Sequence, residues 1–313
     1  MVSRKKKLAA LVLCLAAWSG ASAAVHHKHR PAKKAVSTSR AHAAKASYHP
    51  HVDAAATPLL GSSAVLVADQ LTGARLLARN ADAPRPIASI SKLMTAMVTL
   101  DAHLNMGEVL KVTDDDVDRL RHSSSRLPVG TKLPRGEMLR LALMSSENRA
   151  AHALGRTYPG GMPAFVAAMN QKARALGLHS AQFVEPTGLS AANVASASDL
   201  AAMVSAASAY PDIHAYTTTA EATVAMGRGK QVFRNTNPLV RQARWDIDVS
   251  KTGFINEAGR CLVMQATINQ RPTLIILLDG AHKDTRVLDA TNIKRWLERT
   301  KGTLERPLVA QTT

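Results

Sequence analysis

Strand patterns stand at both ends of the folded part of this chain with helical patterns between them, and that order most restricts its architecture. Near the start, Ala64-Val65-Leu66-Val67-Ala68 reads as a strand and Asp69-Gln70-Leu71-Thr72-Gly73 as a turn. Ala74 to Ala78 follows as a second strand, which makes a hairpin. Near the end, Asp248–Phe254, Cys261–Ile268 and Thr273–Leu278 are consecutive strand candidates, and a helix over about Leu288–Arg299 closes the pattern. Between them, helical periodicity covers Ser89 to about His103, Gly136–Met144, Glu147–Thr157, Met162–Leu176 and Ser198–Ala209. A further pair, Ala222–Met226 and Gln231–Arg234, flanks a Gly227-Arg228-Gly229 turn. Each apolar face must be buried against another layer. The expected fold is therefore α+β: one antiparallel sheet completed by strands from both ends, with a helical lobe beside it.

The ends are of another character. Arg4, Lys5, Lys6 and Lys7 precede an apolar run from Leu8 to about Trp18, and Ala21-Ser22-Ala23 supplies a small-x-small site. Residues 1–23 thus read as a secretory signal peptide, because the run is well short of the ~20 residues a spanning helix needs. The reading predicts export, with no transmembrane segment left after cleavage. A net charge of +17 suggests nucleic acid until it is located. Lys28, Arg30, Lys33, Lys34, Arg40 and Lys45 crowd one stretch with no acid between them, so residues 24–58 read as a basic disordered tether. Such a tether suits loose association with an anionic wall or membrane, and no nucleic-acid partner is expected. Residues 59–300 form the folded domain and 301–313 a tail. Scattered tether histidines (His26, His27, His29, His42, His49) read as a polar tail, not a metal site. Cys14 lies in the leader. Cys261, in an apolar run, reads as a buried structural thiol without a disulfide partner.

Three short motifs carry chemistry. Ser89-Ile90-Ser91-Lys92 sets a hydroxyl and an amine three residues apart at a helix start, on one helical face. A serine needs a base to become a nucleophile, and a lysine serves if its pKa is pulled down. Helix-start N–H groups favour the negative charge that then develops. Ser146-Glu147-Asn148 falls between two helical patterns, where Ser146 can relay a proton and Asn148 can orient a substrate carbonyl; alternatively Ser146 caps the next helix. Lys251-Thr252-Gly253 lies in a strand among apolar neighbours. A buried lysine there is costly unless its charge is used, and Gly253 lets a ligand backbone approach. A cation beside a hydroxyl suits a carboxylate, and a second cation near Lys92 would depress that amine's pKa. The alternative is an edge strand with an exposed lysine. Each motif alone is weak; the three together, each in a suitable setting, point to an active site.

With these motifs the chain resembles the low-molecular-mass penicillin-binding proteins, the D-alanyl-D-alanine peptidases. The similarity extends over Pro86–Ala96, Leu141–Ala151, Glu185-Pro-Thr-Gly-Leu189, Asn235-Thr-Asn237 and Lys251–Arg260, and is nearest the D-Ala-D-Ala endopeptidase branch. It implies a β-lactamase/transpeptidase-like fold, with a five-stranded antiparallel sheet flanked by helices. It implies Ser89 as the acylated nucleophile, Lys92 as its base and Ser146 as proton relay to the leaving amine. Asn148, Lys251, Thr252 and Gly253 would contact substrate, and the N–H groups of Ser89 and Phe254 would form an oxyanion hole. The implied partners are peptidoglycan stem peptides and crosslinks, with β-lactam antibiotics as covalent inhibitors. No metal or organic cofactor is implied, and the periplasm is the expected compartment. Glu147 departs from the Gly common at that position, and a local effect is expected there. Only about sixty residues follow the third motif, which, with the local similarity, favours an endopeptidase over a carboxypeptidase. The rivals are a carboxypeptidase on uncrosslinked stems, a β-lactamase and a catalytically silent wall-binding module.

Overall fold

The computed structural model describes residues 57–300, Arg228 excepted. The leader assigned to 1–23, nearly all of the tether assigned to 24–58 and the tail 301–313 lie outside the described residues. The chain enters through the hairpin β1 (Ser62–Asp69) and β2 (Arg75–Arg79), whose turn is fastened by Asp69, which accepts from the Thr72 N–H at 2.9 Å. The two-residue β3 (Arg85–Pro86) leads through a 3-10 turn, Ala88–Ile90, into α1 (Ser91–Asp101). Then come β4 (Val109–Lys111), β5 (Lys132–Pro134), α2 (Arg135–Met144), α3 (Asn148–Arg156) and α4 (Gly161–Ala175). Next are β6 (Val194–Ala195), α5 (Ala197–Ala207), α6 (Pro211–Thr218) and the hairpin β7 (Glu221–Met226) and β8 (Gly229–Arg234). Three ten-residue strands, β9 (Asp246–Ile255), β10 (Gly259–Ile268) and β11 (Arg271–Gly280), precede the closing α7 (Thr285–Arg299).

The five-stranded sheet runs β2-β1-β11-β10-β9, antiparallel throughout. Strands from the two ends of the chain meet at its centre, where Leu66 faces Ile276 and Val67 faces Ile275. Period-two alternation sorts the side chains. Ala64, Leu66, Val263, Ile276 and Leu278 join the larger core with α1 and α5, while Val65, Val67, Leu262, Met264 and Leu277 pack with Ile293 and Trp296 of α7. Helix α1 lies inside the larger core, with every residue from Ser91 to Thr99 buried. This explains its apolar pattern on more than one face.

Several elements differ from the sequence expectation, among them the short strands β3 to β6, which pair as β3-β6 and β4-β5 outside the main sheet. Helical structure at Ser89 begins as a 3-10 turn, and α1 proper starts at Ser91. Helix α6 was not foreseen: it is eight residues long and buries only Ile213 and Thr217, too short a period to show. The outer layer is fastened by Asp289 of α7. This buried carboxylate accepts from the N–H groups of Gly61 (2.9 Å) and Ser62 (2.8 Å) and from the Ser62 hydroxyl (2.6 Å). Asp289→Ala leaves those donors without a partner, and urea unfolding is expected to show a loss of about 2–4 kcal/mol.

Candidate active site

Ser89 sits in the 3-10 turn, where residues three apart eclipse one another. The geometry brings the Lys92 Nζ within 3.0 Å of the Ser89 Oγ. The turn is strained: Ala88 holds a φ of +49°, which residues with a Cβ rarely adopt. Its neighbours hold it there. The Ser91 hydroxyl donates to the Ala88 carbonyl at 2.9 Å, and Ile87 N–H donates to the Asn193 carbonyl at 3.1 Å. Gly188 presses on the same peptide so closely that a Cβ would stand 1.9 Å from the Ala88 oxygen.

The second and third motifs converge on the first. Ser146, between α2 and α3, has a φ of +60°, and its hydroxyl accepts from the Lys251 Nζ at 2.9 Å. It does not cap α3, whose N-cap is Glu147 without a side-chain cap bond. Asn148, the first residue of α3, turns its Oδ1 to the Lys92 Nζ at 2.8 Å and its Nδ2 to the Ser123 Oγ at 3.0 Å. Strand β9 is an edge strand, yet Lys251 is only 1% exposed, and its amine also donates to the Thr252 carbonyl at 2.9 Å. Gly253 passes against the nucleophile turn: a Cβ there would lie 2.9 Å from the Ile87 oxygen and 3.1 Å from the Ser89 nitrogen. Thr252 donates to the Thr236 hydroxyl at 2.6 Å, and Phe254 turns its ring outward, 47% exposed, under the Arg260 guanidinium.

Ser89, Ser123, Ser146, Asn148, Thr236, Thr252, Gly253 and Phe254 line one open cleft of about 580 Å³, and Lys92 and Lys251 are buried beside them. The cleft includes residues that no motif announced. Arg121 joins its rim, donating from Nε to the Leu189 carbonyl and from Nη2 to Glu257 at 2.9 Å. Arg286 donates to the carbonyls of Gly253 (3.1 Å) and Cys261 (3.2 Å). The segment Glu185–Leu189 supplies the floor: the Glu185 carboxylate accepts from the N–H groups of Thr187 (2.6 Å) and Gly188 (2.7 Å), and the Thr187 carbonyl accepts from Lys92.

Electrostatics follow from burial. Desolvation pushes the Lys92 amine down to about 8, while the carboxylates of Glu185 and Glu147 oppose that fall. Lys251 is driven well below the usual lysine range by burial first, then by the positive charges of Lys92 and Arg286. The expected mutual effect of the two amines therefore falls on Lys251, whereas at Lys92 burial does the work. Lys251 meets Ser146 and makes no hydrogen bond to Ser89 in the structure, so the second amine reaches the nucleophile's surroundings through the second motif. Among the described residues, no cluster of three or more His, Cys, Asp or Glu side chains is placed to hold a metal ion. No described helix is long and apolar enough to cross a membrane.

Residues 51–282 match the model of peptidase family S11, described as D-alanyl-D-alanine carboxypeptidase. The chain belongs to that family. This serine DD-peptidase is 50% identical over 241 residues to the D-alanyl-D-alanine endopeptidase of Pseudomonas aeruginosa, covering 76% of this chain and 78% of the relative. It is 45% identical over 246 residues to the D-alanyl-D-alanine endopeptidase of Escherichia coli, covering 78% and 79%. The crystal structure of the Streptomyces K15 DD-transpeptidase superposes on the DD-peptidase with a TM-score of 0.72 at 27% identity, over 77% of this chain and 98% of that one. The β-lactamase/transpeptidase-like fold expected from the sequence is the fold observed.

Proposed function

We propose that this DD-peptidase is an endopeptidase that hydrolyses D-alanyl crosslinks of peptidoglycan through an acyl-enzyme on Ser89. One observation carries the assignment of roles. The Lys92 Nζ has three partners: the Ser89 Oγ, the Asn148 Oδ1 and the Thr187 carbonyl. The last two only accept. A neutral amine with two N–H bonds satisfies both and turns its lone pair to the Ser89 hydroxyl, the one partner with a proton to give. The Ser89 Oγ then bonds to the D-alanyl carbonyl carbon. The C–N bond breaks, and the proton passes through Lys92 and the Ser146–Lys251 pair to the leaving amine. Water completes the cycle by hydrolysing the ester. Gly253 passes beside the Ser89 nitrogen, which supports the N–H groups of Ser89 and Phe254 as the oxyanion hole. Asn148 holds the acyl peptide, and Lys251 and Thr252 face the substrate's terminal region or a β-lactam carboxylate. β-Lactams acylate Ser89 and leave it blocked.

The endopeptidase assignment rests on the relatives at 50% and 45% identity, both bearing that name; relatives named carboxypeptidase match at lower identity, 32% for that of Bacillus subtilis. The apolar leader supports secretion to the periplasm, and the basic stretch supports loose attachment to the wall or membrane. Digestion of purified crosslinked muropeptide dimers beside uncrosslinked pentapeptides tests the substrate. Dimers should fall to monomers. Dimers that survive while pentapeptides shorten would make the enzyme a carboxypeptidase.

A further inference from the structure

The middle residue of the second motif is buried, and although it stands at the N-cap of α3 its side chain makes no cap bond. Glu147 is 4% exposed, and its carboxylate accepts from the Ser125 hydroxyl at 2.7 Å and the Arg126 Nε at 2.8 Å. Arg126 also donates to the Ser145 carbonyl at 3.3 Å and lies 4.7 Å over the Phe233 ring. These partners belong to a stretch, residues 117–127, without helix or strand, so its course depends on side-chain anchors. Asp118 folds one end by accepting the Leu120, Arg121 and Ser123 N–H groups at 2.9–3.0 Å. Glu147 holds the other end. Between the anchors stands Ser123, whose hydroxyl accepts from the Asn148 Nδ2 and so leaves the Oδ1 to face Lys92. With the amide turned over, an N–H pair would confront an amine.

We propose that Glu147 is a positioning residue: by clasping Ser125 and Arg126 it holds Ser123 where that hydroxyl orients the Asn148 amide toward Lys92. The inference rests on Ser89 and Lys92 being nucleophile and base. It gives the departure from Gly at this position a function in the acylation step. The charged groups facing Lys92 are Glu147 at the start of α3, Glu185 from the segment that follows α4, and Lys251 from β9. Glu147 is thus also part of the field that sets the base, with Arg126 as its counter-charge.

The test is the rate of acylation by a fluorescent penicillin across pH, together with thermal unfolding. Glu147→Ala should acylate roughly 10- to 100-fold more slowly, as displaced catalytic groups do. Glu147→Gln keeps acceptors for Ser125 and Arg126 and should lose less rate. It removes a negative charge that favours the protonated amine, so the midpoint of its acid limb should move to lower pH. Arg126→Gln uncovers that charge and should move the midpoint upward, whereas Glu147→Asp keeps the charge and should keep the wild-type midpoint. Wild-type rate in Glu147→Ala, or midpoints that stay fixed in both Glu147→Gln and Arg126→Gln while rates follow stability, would overturn the proposal. Should Glu147→Ala fail to fold, the opposite shifts of the other two variants decide. A wild-type enzyme that takes no label, or a Ser89→Ala enzyme that takes it equally, would instead remove the underlying assignment.

Discussion

Lys92→Ala is expected to slow acylation by a penicillin about 10³-fold while leaving the fold intact, the size of effect that loss of a positioned general base produces. Ser89→Ala should abolish covalent labelling altogether, which makes it the blank for the measurement. The wild-type pH dependence follows from the same amine. Its folded pKa lies near 8, lowered by burial, so the basic form predominates above that value. Below pH 8 the acylation rate should fall tenfold per pH unit as the amine is protonated and its lone pair lost. The Ala variant should lose that limb. The fold should tolerate the change, because removing an amine buried at a desolvation cost also removes that cost, although Asn148 and Thr187 each give up a donor. Stopped-flow acylation with wild type, Lys92→Ala and Ser89→Ala measures all three expectations. A Lys92→Ala enzyme acylating within a few-fold of wild type would exclude Lys92 as the base.

Gly188→Ala is expected to be the most damaging glycine-to-alanine change among the described residues. Its φ is +79°, already unfavourable for any residue with a side chain. The added Cβ would lie 1.9 Å from the Ala88 oxygen, 2.2 Å from the Ala88 carbon and 2.7 Å from the Ser89 nitrogen. All three are backbone atoms, and none has a rotamer to escape through. Either the Glu185–Leu189 segment moves away, taking the Thr187 carbonyl from Lys92, or the strained Ala88 turn relaxes and displaces Ser89. A destabilisation of more than about 4 kcal/mol is expected, with penicillin labelling lost even in any folded fraction. Thermal unfolding and labelling of one preparation report both. A Gly188→Ala enzyme with wild-type melting and labelling would mean that this packing does not constrain the nucleophile.

What sequence reasoning reached and what it missed separate along a physical line. The three motifs were visible because each is a few adjacent residues whose spacing has a local meaning. The sheet was visible because its strands are short apolar runs bounded by turn residues, as at Ala64–Ala68, Cys261–Met264 and Leu274–Leu278. The fastening of Ser89 was not visible. The segment Glu185–Leu189 was noticed for its similarity, yet that its Thr187 carbonyl would meet an amine 95 positions earlier has no local sign. Ser123, Arg121 and Arg286 are ordinary loop or helix residues until the chain folds, and Thr236 lies in Asn235–Asn237, which similarity alone marked out. Helix α6 buries too little to mark its own period.

Cys261 carries a last consequence. It stands directly across the ladder from Gly253, one strand behind the cleft, so any adduct on its sulfur would press on the third motif. The thiol is fully buried, and burial pushes its pKa up to about 11, which leaves almost no thiolate at neutral pH. Peroxide and alkylating agents thus find no nucleophile there while the protein is folded. Oxidising conditions should therefore leave the Cys261 thiol, and with it the packing behind the third motif, unchanged in the folded protein.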